Sequence, residues 1–293
     1  VSSIGDRIHS LSNMKESKAF ISLCVVGLCC FISYDMVRRP ALALFVESLG
    51  AGPFVVGLIV AVSTMTGVAL KLPMGLLSDV VNRQRLMLGG VLAFALPPFI
   101  YPFVSDLSIL GILRLVHGLA TAMFTPLALA MVAELFVERR GEAFGWYTSA
   151  TQGGGLVGPM IGGIIVYQYG FSLTFFLAGI FGVLALVFFS MIPPTPTPSR
   201  VNQHSCSTLW KEMREGLRRI SQIPPILITS GVEAAKMAGN GTLMAFLPLY
   251  GLFIGLNAAE IGILFGAQAC TSFTAKPFMG RISDRGARPP LIF

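Results

Sequence analysis

The amino-acid sequence predicts an all-α membrane protein, a bundle of apolar helices that cross the bilayer, and two observations lead to this fold class. The chain of 293 residues is 54% hydrophobic and only 12% charged, whereas about 25% of the residues of an ordinary soluble domain are charged. Its apolar stretches are also unbroken, and those at 89–104 and 171–192 approach the roughly 20 residues that a helix needs to span a bilayer. Backbone groups inside lipid must be paired within their own segment, so these stretches are predicted to be helices.

Eight membrane spans are predicted, and the loops between them alternate in charge. The N-terminal tail, the loops after the even-numbered spans and the C-terminal tail hold fifteen of the 21 Lys and Arg residues, whereas Asp106 and Glu260 are the charges of the intervening loops. The positive-inside rule therefore places the N-terminus in the cytoplasm. The net charge of +7 reflects this topology and not a nucleic-acid partner. The predicted spans are 19–48, 54–77, 86–104, 107–134, 143–167, 171–192, 223–253 and 258–280.

A repeat with an offset of 205 residues relates the end of the chain to its beginning. The offset aligns, without a gap, Phe45 with Tyr250, Gly57 with Gly262, Lys71 with Lys276, Gly75 with Gly280, Asp79 with Asp284 and Arg83 with Arg288. Spans seven and eight thus repeat spans one and two in the same orientation, as in transporters built from parallel repeats of six spans. The predicted domains are a six-helix half at 1–192, a cytoplasmic linker with an amphipathic helix at 193–222, and the first two helices of a second half at 223–293. About four further spans are expected to complete the second half.

The turn after the second span reads GLLSDVVNRQRL at 75–86 and resembles the signature Gly-x-Leu-Ala-Asp-Arg-x-Gly-Arg-Lys of the major facilitator superfamily. Asp79 and Arg83 match this signature, and Asn82, which replaces a glycine, is compatible with a left-handed turn. An aspartate at a helix end can accept hydrogen bonds from the next helix and pair with arginine. The turn is predicted to be either a latch between two helix bundles or a fixed cap of two helices. The predicted gating residues on the cytoplasmic side are Gly75, Asp79, Arg83, Glu134, Arg139, Gly280, Asp284 and Arg288.

The fourth span contains LRLVHGLATA at 113–122, which resembles the superfamily pattern Arg-x-x-Gln-Gly-x-Gly-Ala-Ala. Arg114 matches the arginine, and His117 stands in place of the glutamine. The resemblance implies that Arg114 takes part in proton handling by biasing a neighbouring acid. The alternative is an arginine that snorkels to the outer surface. His117 either titrates near neutral pH or is a hydrogen-bonded structural residue.

The fifth span contains GGLVGPMIGG at 154–163, which resembles the pattern Gly-x-x-x-Gly-Pro-x-x-Gly-Gly of the exporting, proton-antiport branch of the superfamily. Glycines at this spacing let another helix approach to backbone contact, and a proline bends the span. The resemblance implies export, and a general packing seam of small residues is the alternative. The residues that match the pattern are Gly154, Gly158, Pro159, Gly162 and Gly163.

Several charged residues lie inside predicted spans, where charge is costly unless it faces a cavity or a partner. Asp35 is within reach of Arg38 or Arg39 on one helix face. This acid is predicted to be either a proton-coupling residue or part of an inert ion pair, and Lys71 is predicted to be a snorkelling anchor. The resemblance implies that spans one, four, seven and ten line the central path, and the charges lie in the first three of these. The predicted residues of the substrate and proton pathway are Asp35, Arg38, Arg114, His117, Glu233, Lys236 and Asn240, the last aligned by the repeat with Asp35.

The resemblance implies a secondary active transporter of a cell membrane (plasma or inner), with proton-coupled export of small organic molecules by alternating access as the predicted function. Uptake of a nutrient such as a sugar or organic anion is the first alternative, and a non-transporting truncated product or membrane scaffold is the second. The sequence contains no phosphate-binding loop, catalytic triad or metal-ligand cluster. We therefore predict that the protein is not an enzyme and has no cofactor or metal. It is also predicted to be a monomer, with the lipid bilayer, a small-molecule substrate and protons as its partners.

Overall fold

The computed structural model describes residues 2–78, 81–136, 140–193, 211, 214–216 and 218–285, with side chains between residues 17 and 271 of these ranges. Every regular element in these ranges is helical. The predicted amphipathic linker helix lies largely outside the described residues. Nine α-helices are described, namely α1 (Ser2–Met36), α2 (Leu42–Ser48), α3 (Pro53–Leu77), α4 (Arg83–Ile100), α5 (Leu107–Leu135), α6 (Arg140–Tyr169), α7 (Phe171–Ser190), α8 (Pro224–Phe253) and α9 (Ala258–Arg285).

The first span is interrupted in its second half by a π turn, Val37–Ala41, between α1 and α2. Arg39 has the extended backbone angles φ −141° and ψ 120° within this turn. The cause is local, because a residue that precedes a proline avoids the helical region, and Pro40 follows directly. The interruption takes Arg38 and Arg39 out of the regular helical surface in the middle of the bundle.

Five of the described helical segments are long and apolar enough to cross a membrane. The helices α6 and α8 are each 30 residues long, but α6 is rich in glycine and α8 carries charged side chains, which lowers their mean hydropathy. The eight predicted spans thus coincide with described helices, and the composition of five of them indicates a multi-pass membrane protein. The five segments are Ser17–Ser48, Pro53–Leu77, Arg83–Phe103, Leu107–Leu135 and Phe171–Ser190.

Side-chain caps fix the starts of α5 and α4. The carboxylate of Asp106 accepts hydrogen bonds from the backbone amides of Ser108 at 2.8 Å and Ile109 at 3.0 Å. The bonds from the Ile109 and Ser108 amides hold the pKa of Asp106 below its ordinary value. At the start of α4, the side chain of Asn82 accepts a hydrogen bond from the amide of Arg85 at 3.1 Å. These contacts satisfy amides that have no partner within the first helical turn.

The expected left-handed turn at Asn82 is wrong. Asn82 has φ −54° and ψ 115°, and no non-glycine residue in the described part of the chain has a positive φ. The side chain of Asn82 needs an extended backbone in order to cap α4, because an N-cap residue lies just outside the helical region. This chain therefore begins α4 with an asparagine cap and not with the glycine turn of the superfamily signature.

Replacing Asn82 by alanine removes the acceptor for the Arg85 amide, and we expect the free energy of unfolding to fall by about 1 kcal/mol. Asn82→Gly is the matched control, because glycine at this position costs only a few tenths of a kcal/mol. Thermal unfolding of the purified protein in detergent measures both changes. An unchanged stability of Asn82→Ala would show that the side-chain cap does not stabilise α4.

The helices pack as a bundle in which α6 lies between α1 and α9. On the other side, α5 packs against α3 and α4, and α7 packs against α1 and α4.

One end of the bundle contains the α3–α4 and α5–α6 connections, and we call it the basic end. Here the side-chain amide of Gln84 donates to the carbonyl of Ile192 at 3.1 Å, and Arg140 Nε donates to the carbonyl of Ala133 at 3.1 Å.

The helices α8 and α9 contact the preceding helices mainly at the end opposite the basic end. Met244 and Ala245 of α8 belong to a buried cluster with residues of α1, α3 and α7, and Phe265 of α9 packs with Leu44 of α2. In contrast, residues 224–239 of α8 are exposed. In the described residues, the two groups of helices are therefore in contact at one end and apart toward the basic end.

Candidate binding cavity

A cavity of about 800 Å³ lies between α1, the π turn, α3, α5 and α8. Its volume is in the range of ligand sites for small organic molecules. Its walls combine aromatic and aliphatic side chains with a limited number of polar groups. The apolar lining includes Phe31, Phe54, Leu58, Val68, Met244 and Phe246. The polar and charged lining includes Asp35, Arg38, Arg39, Thr64, Lys71 and Asn240.

Asp35 lies in the cavity wall and pairs with Arg39, one helical turn away. The carboxylate Oδ1 is 3.5 Å from Arg39 Nε, and the residue is only 5% exposed. Neither of these two atoms makes a hydrogen bond to the described residues. A buried ion pair without supporting hydrogen bonds recovers little of the cost of desolvation.

Arg38 has different neighbours from Arg39. Its Nη2 donates to the hydroxyl of Thr64 at 2.8 Å, and its guanidinium carbon lies 5.5 Å from the centre of the Tyr34 ring. This distance permits a cation–π interaction. The Nε atom of Arg38 is buried without a hydrogen-bond partner in the described part of the chain. Of the two candidate partners of Asp35, Arg39 forms the ion pair and Arg38 is directed to α3.

Arg114 is fully buried behind the cavity wall and does not line the cavity. Its guanidinium donates to the hydroxyl of Ser63 and, at 3.4 Å, to the carbonyl of Ile59. The alternative of an arginine that snorkels to the outer surface is therefore wrong. The hydroxyl of Tyr34, which does line the cavity, is 3.5 Å from the same Ser63 hydroxyl. Tyr34 thus connects the cavity to the buried arginine.

His117 is also fully buried, and its Nδ1 lies 3.0 Å from the hydroxyl of Tyr101. The ring of Tyr34 packs edge-on against the His117 imidazole at 4.9 Å. These contacts match the expectation of a hydrogen-bonded structural histidine. His117 contacts Tyr34, which lines the cavity.

Two of the predicted pathway residues lie away from the cavity. Glu233 and Lys236 pair with each other at 2.6 Å on an exposed face of α8, where more than half of each side chain is accessible. Asn240, one turn further along α8, does line the cavity. No cluster of metal-binding side chains is present in the part of the chain that the structure describes.

Sequence reasoning missed the cavity face of α3. Lys71, expected to be a snorkelling anchor, lines the cavity together with Gly57 and Thr64. These three positions are seven residues apart and therefore share one helix face. A stripe of small and polar residues in an otherwise apolar span was the signal that could have identified this face.

The glycines of α6 form a seam against α1. An alanine Cβ at Gly154 would lie 2.7 Å from the carbonyl oxygen of Leu28, and one at Gly158 would lie 2.9 Å from that of Ile32. At Gly162, the distance to the carbonyl oxygen of Met36 would also be 2.9 Å. The two backbones are in direct contact over two helical turns. This contact places Asp35 beside α6, because a Cβ at Gly155 would lie 3.2 Å from the carboxylate Oδ2.

The opposite face of α6 contacts α9 in the same manner. A Cβ at Gly163 would lie 2.5 Å from the carbonyl oxygen of Ala258, and one at Gly262 would lie 2.6 Å from that of Pro159. The motif GGLVGPMIGG therefore packs one helix between α1 of the first half and α9 of the predicted second half. Arg39 extends toward the same region, with its guanidinium carbon 6.0 Å from the centre of the Phe265 ring.

One ion pair of the predicted latch is present at the basic end. Arg83 Nη1 donates to the carboxylate of Glu134 at 2.6 Å and links α4 to α5. Gly75 lies near the end of α3, where an added Cβ would meet nothing within 4 Å. The predicted gating residues Asp79, Arg139 and Arg288 lie outside the described residues. The backbone of α9 passes through Gly280 and Asp284, whose surroundings also lie outside what is described.

The pair of Arg83 with Glu134 is open to solvent, with exposed side-chain fractions of 18% and 62%. Exposed ion pairs stabilise proteins by about 0–1 kcal/mol. We therefore expect a double-mutant cycle with Arg83→Gln and Glu134→Gln to give a coupling below about 1 kcal/mol in the free energy of unfolding. A coupling of several kcal/mol would instead indicate that the pair is closed off from water and holds α4 against α5.

Known proteins with similar sequences and structures agree with this architecture. The sequence model of the Major Facilitator Superfamily matches residues 23–293. The chain is 25% identical over 251 residues to the uncharacterized MFS-type transporter MJ1560 of Methanocaldococcus jannaschii, which covers 84% of this chain and 64% of that protein. It is 33% identical over 254 residues to the multi-drug resistance efflux pump PmrA of Streptococcus pneumoniae, which covers 84% of this chain and 62% of that protein.

A solved structure shows the same fold. The crystal structure of a bacterial homologue of the human lysosomal transporter Spinster, inward-facing and unoccupied, matches 94% of this chain and 64% of that one, with a TM-score of 0.76 and 16% identity. The chain thus spans somewhat less than two thirds of the length of each of these proteins. The family match covers nearly all of the described helices, including both glycine faces of α6. The chain therefore belongs to the major facilitator superfamily.

Proposed function

We propose that the protein is a secondary active transporter that exports small organic molecules in exchange for protons. The observation that carries this proposal is the cavity between helices of both repeats, with a buried Asp35–Arg39 pair in its wall. The name of the relative PmrA, an efflux pump at 33% identity, supports export. The glycine pattern of α6 also supports it, through its resemblance to the antiport branch.

Alternating access is the proposed mechanism, in which the six-helix half at 1–192 rocks against the second half that begins at 223. The contacts between α6 and α9 include close approaches of backbone and glycine at Gly163 and Gly262, and small residues at such positions let two helix backbones come close together. We propose that the basic end lies in the cytoplasm, in accordance with the positive-inside rule. The cavity would then be open to the cytoplasm in this structure.

Asp35 is the proposed coupling residue. A proton on its carboxylate removes the negative charge that faces Arg39, and the seam with α6 places this change beside the contact between the two halves. Movement of one proton into the cell releases about 2.3 kcal/mol per 100 mV of membrane potential. A few such protons supply enough free energy to concentrate a substrate outside the cell.

The Arg83–Glu134 pair is proposed to belong to a latch at the basic end, together with Asp79 and Arg139. The pair already joins α4 to α5 in this structure, with the basic end open. In the closed state, the corresponding turn at Asp284 would meet it from the second half, as the repeat suggests. A fixed turn that only caps two helices remains the alternative for this element.

Flux in proteoliposomes with an imposed pH gradient tests the proposed function. The full protein is reconstituted, and fluorescent hydrophobic compounds are added while a trapped dye reports internal pH. We expect compounds and protons to move in opposite directions. Accumulation in the direction of proton flow would establish uptake, and the absence of movement in both directions would favour a scaffold.

A further inference from the structure

We propose that the cavity selects organic anions, with the anionic group held between Arg38 and Lys71 and an apolar body against the aromatic wall. This inference rests on the proposed function only in treating the cavity as the substrate site. It concerns the charge of the ligand, which the names of the two relatives described above do not specify.

The first support is the charge of the cavity wall. Three cationic side chains of the described lining, Arg38, Arg39 and Lys71, face a single acidic one, Asp35. Arg39 is paired with Asp35. Arg38 and Lys71 form no ion pair with a described carboxylate, so two positive charges of the cavity lack a counter-charge there. A ligand with a negative group would supply it and would recover part of the cost of burying the Nε atom of Arg38.

The second support is the way in which Arg38 is held. The hydrogen bond to Thr64 and the ring of Tyr34 fix its guanidinium against α3, while its buried Nε has no hydrogen-bond partner among the described residues. A fixed guanidinium with an unused donor is suited to bind a carboxylate or phosphate oxygen. An arginine that served only to anchor the π turn would leave this buried donor unexplained.

The third support is the position of Lys71. It follows Thr64 by seven residues on the same face of α3, which places the two backbones about 10 Å apart along the helix axis. Gly67 lies between them, and an added Cβ there would meet the hydroxyl of Thr121 at 2.8 Å. The glycine thus lets α5 approach α3 closely and brings Thr121, another residue of the cavity lining, to the part of the wall between the two cations.

The fourth support is the apolar remainder of the cavity, to which α1, α3 and α8 contribute Phe31, Phe54 and Phe246. An inorganic anion would leave these rings in contact with water, whereas an aromatic or aliphatic body would cover them. An organic anion also suits export, because the interior of a cell is negative. The outward movement of one negative charge releases about 2.3 kcal/mol per 100 mV of membrane potential.

Equilibrium binding to the full protein in lipid nanodiscs tests this inference with three probes of similar shape. Naphthoate and naphthyl phosphate carry the anionic group, and naphthamide is the neutral control. We expect both anions to bind at least tenfold more tightly than naphthamide, which corresponds to about 1.4 kcal/mol. A preference for one of the two anions would identify the anionic group as carboxylate or phosphate.

Substitutions of Arg38 and Lys71 test whether these two side chains cause the preference for anions over naphthamide. Arg38→Gln and Lys71→Gln are each expected to reduce the ratio of anion affinity to naphthamide affinity about tenfold. Arg38→Lys, which keeps the charge, should restore part of the ratio. Arg85→Gln is the matched control, because Arg85 is exposed at the start of α4 and does not line the cavity. Each variant is first checked for a monodisperse elution profile.

Equal affinity for naphthoate and naphthamide, or failure to bind either of them, would overturn the inference. So would an unchanged ratio in both glutamine variants. If the anions bind with the expected preference but no compound moves in the proteoliposomes, the inference stands and the proposed function fails. If compounds move against protons without any preference for anions, the proposed function stands and the inference fails.

Discussion

Replacing Gly158 by alanine is expected to destabilise the protein by about 1–3 kcal/mol and to abolish transport, because an extra methyl group in a close-packed contact forces the backbone to shift. The added Cβ would lie 2.9 Å from the carbonyl oxygen of Ile32 and 3.1 Å from the amide nitrogen of Met36. Both are backbone atoms of α1, so neither can move out of the way as a flexible side chain could. The Cβ of Asp35 would be 3.3 Å away, so the shift also reaches the cavity.

Gly145→Ala is the matched control for this variant. Gly145 lies on the same helix, but an added Cβ there would meet nothing within 4 Å. Alanine stabilises a helix by about 1 kcal/mol relative to glycine, so the melting temperature of the control should stay the same or rise. Thermal unfolding followed by size-exclusion chromatography measures both variants. A similar melting temperature for the two would show that the α1–α6 contact is looser than the structure indicates.

Asp35→Asn is expected to reduce flux driven by a pH gradient by more than tenfold, while exchange of substrate across the membrane without a gradient continues. The amide keeps the shape of the side chain but can neither bind a proton nor pair with Arg39 in the same way. Flux in proteoliposomes with and without an imposed gradient separates coupling from transport itself.

Asp106→Asn is the control for the loss of an acidic group. Asp106 lies outside the spans at the start of α5, and asparagine also caps helices well. We expect this variant to respond to the gradient as the unchanged protein does. If Asp35→Asn still responds fully to the gradient, the coupling proton binds elsewhere, and the pair with Arg39 is only structural.

The sequence was sufficient to predict the positions of the helices and several contacts between them. Long apolar stretches predict where the backbone is helical, because lipid tolerates no unpaired peptide group. The glycines of α6 were predictable as a packing seam, since their absent side chains have a direct consequence for helix approach. Arg83 and Glu134 were both predicted as gating residues of the cytoplasmic side, and the structure joins them in an ion pair that the sequence did not specify.

The partners of the charged residues could not be read from the sequence in the same way. Asp35 had two arginines within reach, and the backbone of the π turn decides between them by directing Arg38 toward Thr64. The burial of Arg114 depends on α3, whose Ser63 and Ile59 receive its hydrogen bonds. Such choices are made by tertiary packing, which spacing along one helix does not encode.

The repeat also gives two glycines equivalent positions in the two halves, and each contacts the opposite half. A Cβ at Gly57 of α3 would lie 3.2 Å from the ring of Phe246 in α8, and its counterpart Gly262 of α9 faces α6. Both contacts lie at the end opposite the basic end. If the halves rock to release a substrate at this end, these two contacts must separate, so the distances around Gly57 and Gly262 are expected to grow while the basic end closes.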